Sequence, residues 1–110
     1  MYTTLTVKDN EYKLRLGAKA CVDLEKKLGT NPVNILMAIA EKNQVPTLNT
    51  VLNILQAALL KYHPMTFEKV YELYDDYVED GHTMLDLIPV IMEVFKQSGL
   101  IPDSEDEEKN

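Results

Sequence analysis

The apolar residues of this chain repeat at two different spacings, and the change falls near Gly17. Between residues 2 and 16, Leu5, Val7, Tyr12 and Leu14 alternate with Thr4, Thr6, Lys13 and Arg15, the period-two pattern of half-buried strands. Asp9 and Asn10 both tolerate left-handed backbone and are read as the centre of a two-residue turn. That turn sets Val7 opposite Tyr12 and Leu5 opposite Leu14, so one face of a hairpin collects the apolar side chains. A two-stranded ribbon is marginal by itself, which predicts that it lies on the helices that follow.

From residue 18 onward the spacing becomes three and four, and five helices are predicted, at 18–28, 32–42, 48–62, 67–80 and 84–98. The stretch from Leu48 to Tyr62 organises the rest. Leu48, Val51, Leu52, Leu55, Leu59 and Tyr62 stack on one face, Ile54 and Ala58 widen it, and only Asn49, Asn53 and Gln56 form a polar stripe. A helix so apolar has to be covered on several sides. The helix before it starts at the N-cap Asn31 and Pro32. Val33, Ile35, Leu36, Met37 and Ile39 leave it little polar surface, so it sits centrally or offers an apolar face to a partner.

The outer helices are read as cover. Ala18, Cys21, Val22, Leu24 and Leu28 form the stripe of the first, with Gly29 as its stop. Thr66 caps the fourth, whose stripe is Phe67, Val70, Tyr71, Tyr74, Tyr77 and Val78. Thr83 caps the fifth, with Met84, Leu87, Ile88, Ile91, Val94 and Phe95 facing inward and Pro89 imposing a kink or a distorted first turn. Leu100 and Ile101 are expected to tuck back. The fold class is α+β, mainly α: an N-terminal hairpin packed on a bundle of five helices, as one domain over 1–101 with a disordered acidic tail at 102–110.

Charge narrows the function. Eighteen acids against eleven Lys and Arg give −7 over 110 residues, more than half of it in residues 103–110. Nucleic-acid binding needs a basic footprint, and none is visible. No apolar run reaches the roughly 20 residues of a membrane span, and the polar alternation of the first residues does not resemble a secretory leader. The single Cys21 lies in an apolar stripe, which fits a packed thiol in a reducing compartment. The fourth helix carries Glu68, Glu72, Asp75, Asp76, Glu79 and Asp80 against Lys69 alone, with like charges four residues apart, an arrangement that a solvated face or a basic partner would accommodate. His63 reads as a solvated residue at a helix C-terminus. Asp76, Asp80 and His82 lack the spacing of a calcium loop, and no cofactor or metal is expected.

The segments YKLRLGAKACVDLEKKLG, NPVNILM, VPTLNTVLNILQAALLKYHPMT and EVFKQSG together resemble the small tail assembly chaperones of long-tailed bacteriophages and prophages, over about Tyr12 to Gly99. The resemblance implies a non-enzymatic helper in the host cytoplasm, absent from the mature virion. It implies that such a protein binds the tape measure protein and recruits tail tube protein through a longer, frameshifted form. It transfers no site residues. The residues read as partner-facing are Ile35, Met37 and Ile39 on the apolar helix and Glu68, Glu72, Asp76 and Glu79 on the acidic one, with homo-oligomerisation a further expectation. The alternative is a small structural virion protein, a head-tail connector or tail-completion component.

Overall fold

The computed structural model describes residues 1–102, so residues 103–110 of the expected acidic tail lie outside the described residues. It is a hairpin followed by five helices, the α+β, mainly α architecture expected. Strands β1 (Thr3–Val7) and β2 (Asn10–Leu14) pair antiparallel, and helices α1 (Ala18–Leu28), α2 (Pro32–Lys42), α3 (Leu48–Leu59), α4 (Phe67–Glu79) and α5 (Leu87–Ser98) follow.

The hairpin corrects the expected register. Leu5 pairs with Tyr12 and Val7 with Asn10, so the turn is Lys8–Asp9 and not Asp9–Asn10. Both turn residues have positive φ, 50° and 66°, as a two-residue primed turn requires. Shifting each partner by two positions keeps every side chain on its face, so alternation alone could not separate the two registers. The tertiary setting does. The Lys8 N–H donates to Asp80 Oδ2 at 2.5 Å, and Lys8 Nζ lies 3.4 Å from Glu79 Oε1, so the turn docks on the last residues of α4. Leu5, Val7 and Leu14 are buried, together with Leu16 just beyond the strand.

Helix α3 is the hub. Eight of its residues are buried, and α1, α4, α5 and β2 all pack against it. Its α-helical hydrogen bonding stops at Leu59 rather than Tyr62, and the chain leaves through a turn in which the His63 N–H donates to the Leu59 carbonyl. Leu48 and Tyr62, expected on the core face, sit at its two ends and are more than a third exposed. Asn53 departs furthest from its predicted place. It is buried, 6% exposed, and its Nδ2 donates to the Asn49 carbonyl at 2.8 Å while its Oδ1 has no partner among the described residues.

The caps follow the sequence closely. Asn31 and Thr66 accept from the N–H groups of Val33 and Lys69, and Thr47 does the same for Thr50 ahead of α3. Gly29 and Gly99 end α1 and α5 at φ 71° and 84°. The predicted helix at 84–98 is split into a 3-10 turn, Met84–Asp86, and α5. Pro89 has no N–H for the Leu85 carbonyl and its ring crowds that carbonyl, so regular α-structure starts only at Leu87, with the proline in its first turn. The Thr83 N–H is held by Asp86 Oδ2 at 2.9 Å. Helix α4 ends at Glu79, one residue earlier than expected.

Several stripe assignments shift by one helical position. Ala18 and Val22 are exposed on α1, where Cys21 and Leu24 carry the burial. On α4 the buried set is Val70, Leu73 and Tyr77, whereas Tyr71 and Val78 are 46% and 44% exposed. Phe95, Val94, Leu87 and Ile91 bury the inner face of α5, and Leu100 and Ile101 fold back onto the core.

Candidate partner-binding surface

Helix α2 is a peripheral element whose principal neighbour is α1. Its eleven residues are apolar on nearly every side, but only Pro32 and Leu36 are buried. Ile35 and Ile39, four residues apart, lie along one border of the buried face and are half-buried. Met37 is two residues from each, about 200° around the helix, and is 46% exposed on the outer side. The structure therefore joins Ile35 to Ile39 and leaves Met37 apart.

The apolar border of α2 continues into residues of which the helical pattern singled out only Ile88. Ile39 shares a groove of about 300 Å³ with Val45, Pro46, Leu85, Ile88 and Pro89. On the other side of the Val45–Pro46 pair, Ile35 and Ala38 line a smaller groove of about 160 Å³ with Gln44 and Thr50. Val45 is 61% exposed and Leu85 56%. These residues escaped the sequence reading because Val45 and Pro46 belong to a loop and Leu85 to the 3-10 turn, where no periodicity marks a face. The available signal was Pro89, whose position dictates the turn that pushes Leu85 outward.

The acidic candidates are placed on α4 as the pattern predicts. Glu68, Glu72 and Glu79 are exposed and, with Asp75, form a ridge; Asp76 is half-buried at its border, in a groove with Tyr12, Met65 and Leu73 that Glu72 also lines. Glu72 pairs with Lys69 at 3.3 Å and Glu79 with Lys8 at 3.4 Å. Glu68 and Asp75 pair with no base among the described residues. Between this ridge and the N-terminal half of α3 runs another groove, about 380 Å³, lined by Leu48, Leu52, Tyr71, Tyr74, Asn49 and Asp75.

The residues that resemble chemical sites make structural contacts. His63 is not a solvated terminal residue: its Nε2 accepts the Lys13 N–H at 2.9 Å and its ring meets Tyr12 edge-on at 5.2 Å, which fastens the outer edge of β2. Burial, and secondarily Glu25, pushes the Cys21 thiol above its ordinary value, which makes it a poor nucleophile. His82 stacks on Tyr77 at 4.4 Å. Among the described residues no three His, Cys, Asp or Glu side chains come together in a way that could hold a metal ion, and no helix is long and apolar enough to cross a membrane.

The chain belongs to a family of unknown function, DUF6096, which it matches over residues 2–109. No curated protein and no solved structure matches it.

Proposed function

We propose that this protein is a non-enzymatic tail assembly chaperone of a long-tailed phage or prophage, which holds helical segments of the tape measure protein and helps bring tail tube protein to them. One observation carries the proposal: the apolar border of α2 stays open and runs into the Val45, Pro46, Leu85 and Ile88 groove, with two large side chains there more than half exposed. Apolar surface left open in a small domain is characteristic of a docking site, and a groove between helices accepts the apolar ridge of an amphipathic helix. The resemblance of the sequence segments supplies the identity of the client. The net charge of −7 keeps copies of the protein apart while that surface is open.

The test is co-expression with a tape measure protein from the same phage or prophage, reading the soluble fraction of the client. Wild type is expected to raise that fraction severalfold. Val45→Asp and Leu85→Asp, at exposed positions where the melting temperature should stay unchanged, are expected to remove the gain, and Met37→Asp on the opposite side is expected to keep it. A client equally soluble with and without this protein overturns the reading.

A further inference from the structure

We propose that the groove between α3 and α4 is a docking site for a basic amphipathic helix, which lays its apolar side against Leu48, Leu52, Tyr71 and Tyr74 and its Lys or Arg residues against the acidic ridge of α4. The proposal rests on the reading above for the premise that this chain holds helices; the surface and the chemistry of its occupant are new.

The observations come from the α4 helical wheel. Val70, Leu73 and Tyr77 point to the core. Next around the helix come Phe67, Tyr71, Tyr74 and Val78, an apolar and aromatic stripe left partly open, and beyond it the acids Glu68, Glu72, Asp75 and Glu79. Apolar and acidic stripes therefore run side by side along the same helix, and α3 provides the opposite wall through Leu48 and Leu52. The groove alone would suit any apolar segment. The ridge selects among them, because among the described residues Glu68 and Asp75 have no base of their own and an acidic or neutral helix would supply none.

Several of the acids also stand where intramolecular physics disfavours them, although Glu68 has the dipole's support in the first turn. Glu68 and Glu72, and Asp75 and Glu79, are like-charged pairs four residues apart, and Glu79 sits at the negative end of the helix dipole. A partner bearing bases relieves both penalties on binding. The ridge from Glu68 to Glu79 spans about 16 Å at 1.5 Å per residue, so an occupant of about three to four turns covers it.

The experiment measures fluorescence anisotropy of a labelled peptide of about 15 residues with a Leu and Ala face flanked by Lys, against the full chain. Its control is the same peptide with Glu in place of Lys. The Lys-flanked peptide is expected to bind at least about tenfold more tightly than the Glu-flanked one, and to weaken severalfold as salt rises from about 50 to about 300 mM. Tyr71→Ala with Val78→Ala, at exposed positions, is expected to reduce the affinity about tenfold or more, and Glu68→Lys with Asp75→Lys to reverse the peptide preference. Equal binding of both peptides, no binding of either, or binding indifferent to the Tyr71 and Val78 changes overturns the inference. Val45→Asp should leave this peptide's affinity unaltered. The outcomes are separable from the proposal above: loss of peptide binding with an intact gain in client solubility removes this groove alone, and the reverse removes the tape measure reading alone.

Discussion

Replacing Asn53 by Leu should stabilise the protein, although it removes a hydrogen bond from the most buried helix. The amide is 6% exposed and makes one good bond, Nδ2 to the Asn49 carbonyl at 2.8 Å, with a longer approach to Asn49 Oδ1 at 3.3 Å. That bond is worth about 1 kcal/mol net. Its acceptor lies four residues back in α3, the position that takes the Asn53 backbone N–H, so losing the side-chain donor leaves no new orphan. Against it stands the buried Oδ1 without a partner, whose desolvation costs about 1–3 kcal/mol. Leucine also gains a few tenths of a kcal/mol in helix propensity and adds apolar area at a buried position. The balance favours Asn53→Leu by about 1–2 kcal/mol, a rise in melting temperature of roughly 5–10 °C for a domain of this size.

Urea unfolding followed by circular dichroism reads this directly: the midpoint should move up with the slope unchanged. Asn53→Ala serves as the companion, because it removes the same polar atoms without demanding that the site accept a leucine. It should fall near wild type, with the relieved desolvation offset by lost packing. If both variants are less stable than wild type, the Asn53 amide contributes more than its one visible bond and the reasoning fails.

Three further outcomes follow from burial, backbone and charge. Phe95 is fully buried where α5 meets the core, so Phe95→Ala should cost about 3–5 kcal/mol, a large share of the total stability of a small domain, seen as a sharply lowered urea midpoint. Gly99→Ala places a Cβ in open space but at φ 84°, so backbone strain alone should lower stability by about 1 kcal/mol or slightly less once the stiffer unfolded chain is counted. Burial raises Cys21 and Tyr77 above their ordinary values of 9.0 and 10.0, so the unfolded chain releases those protons first and the native state holds more of them. Their contribution is full below pH 9.0 and is lost as pH rises through and above those two values, so melting temperature should fall on the alkaline side; a flat profile to pH 11 would contradict it.

What could be read from the sequence was whatever depends on one element at a time. Asn31 with Pro32, and Gly29 and Gly99, mark helix ends because the caps are local chemistry, and the structure places those ends accordingly. The apolar face of the hairpin was legible for the same reason. Its register was not, since a shift by two preserves alternation and the contacts that go with the Lys8–Asp9 turn, such as those of Lys8 with Asp80 and Glu79, lie some seventy residues away. Asn53 was misplaced because a polar stripe on an isolated helix looks like a wet face, whereas α3 is covered even there. The candidate surface was half legible: periodicity identified the apolar excess of α2 and the acids of α4, but not which side of α2 its neighbours cover. The open border of α2 is lined by the loop at Val45–Pro46 and the turn at Leu85, which have no period to read.

Magnitudes then bear on how such surfaces would work. Completing the burial of a large aliphatic side chain gains at most about 1.5–3 kcal/mol, and Val45 and Leu85 are already part covered, so the α2 groove offers a client only a few kcal/mol from its most exposed members. Association costs about 4–15 kcal/mol before any net affinity appears. The neutral groove beside α2 is therefore not suited to hold a helix tightly by itself. A client that also engages the acid-flanked groove beside α4 would be held more strongly, because the second contact is then made at high effective concentration. On the functional reading proposed here that weakness is useful: a client held at two weak points can be surrendered one point at a time as its permanent partner arrives.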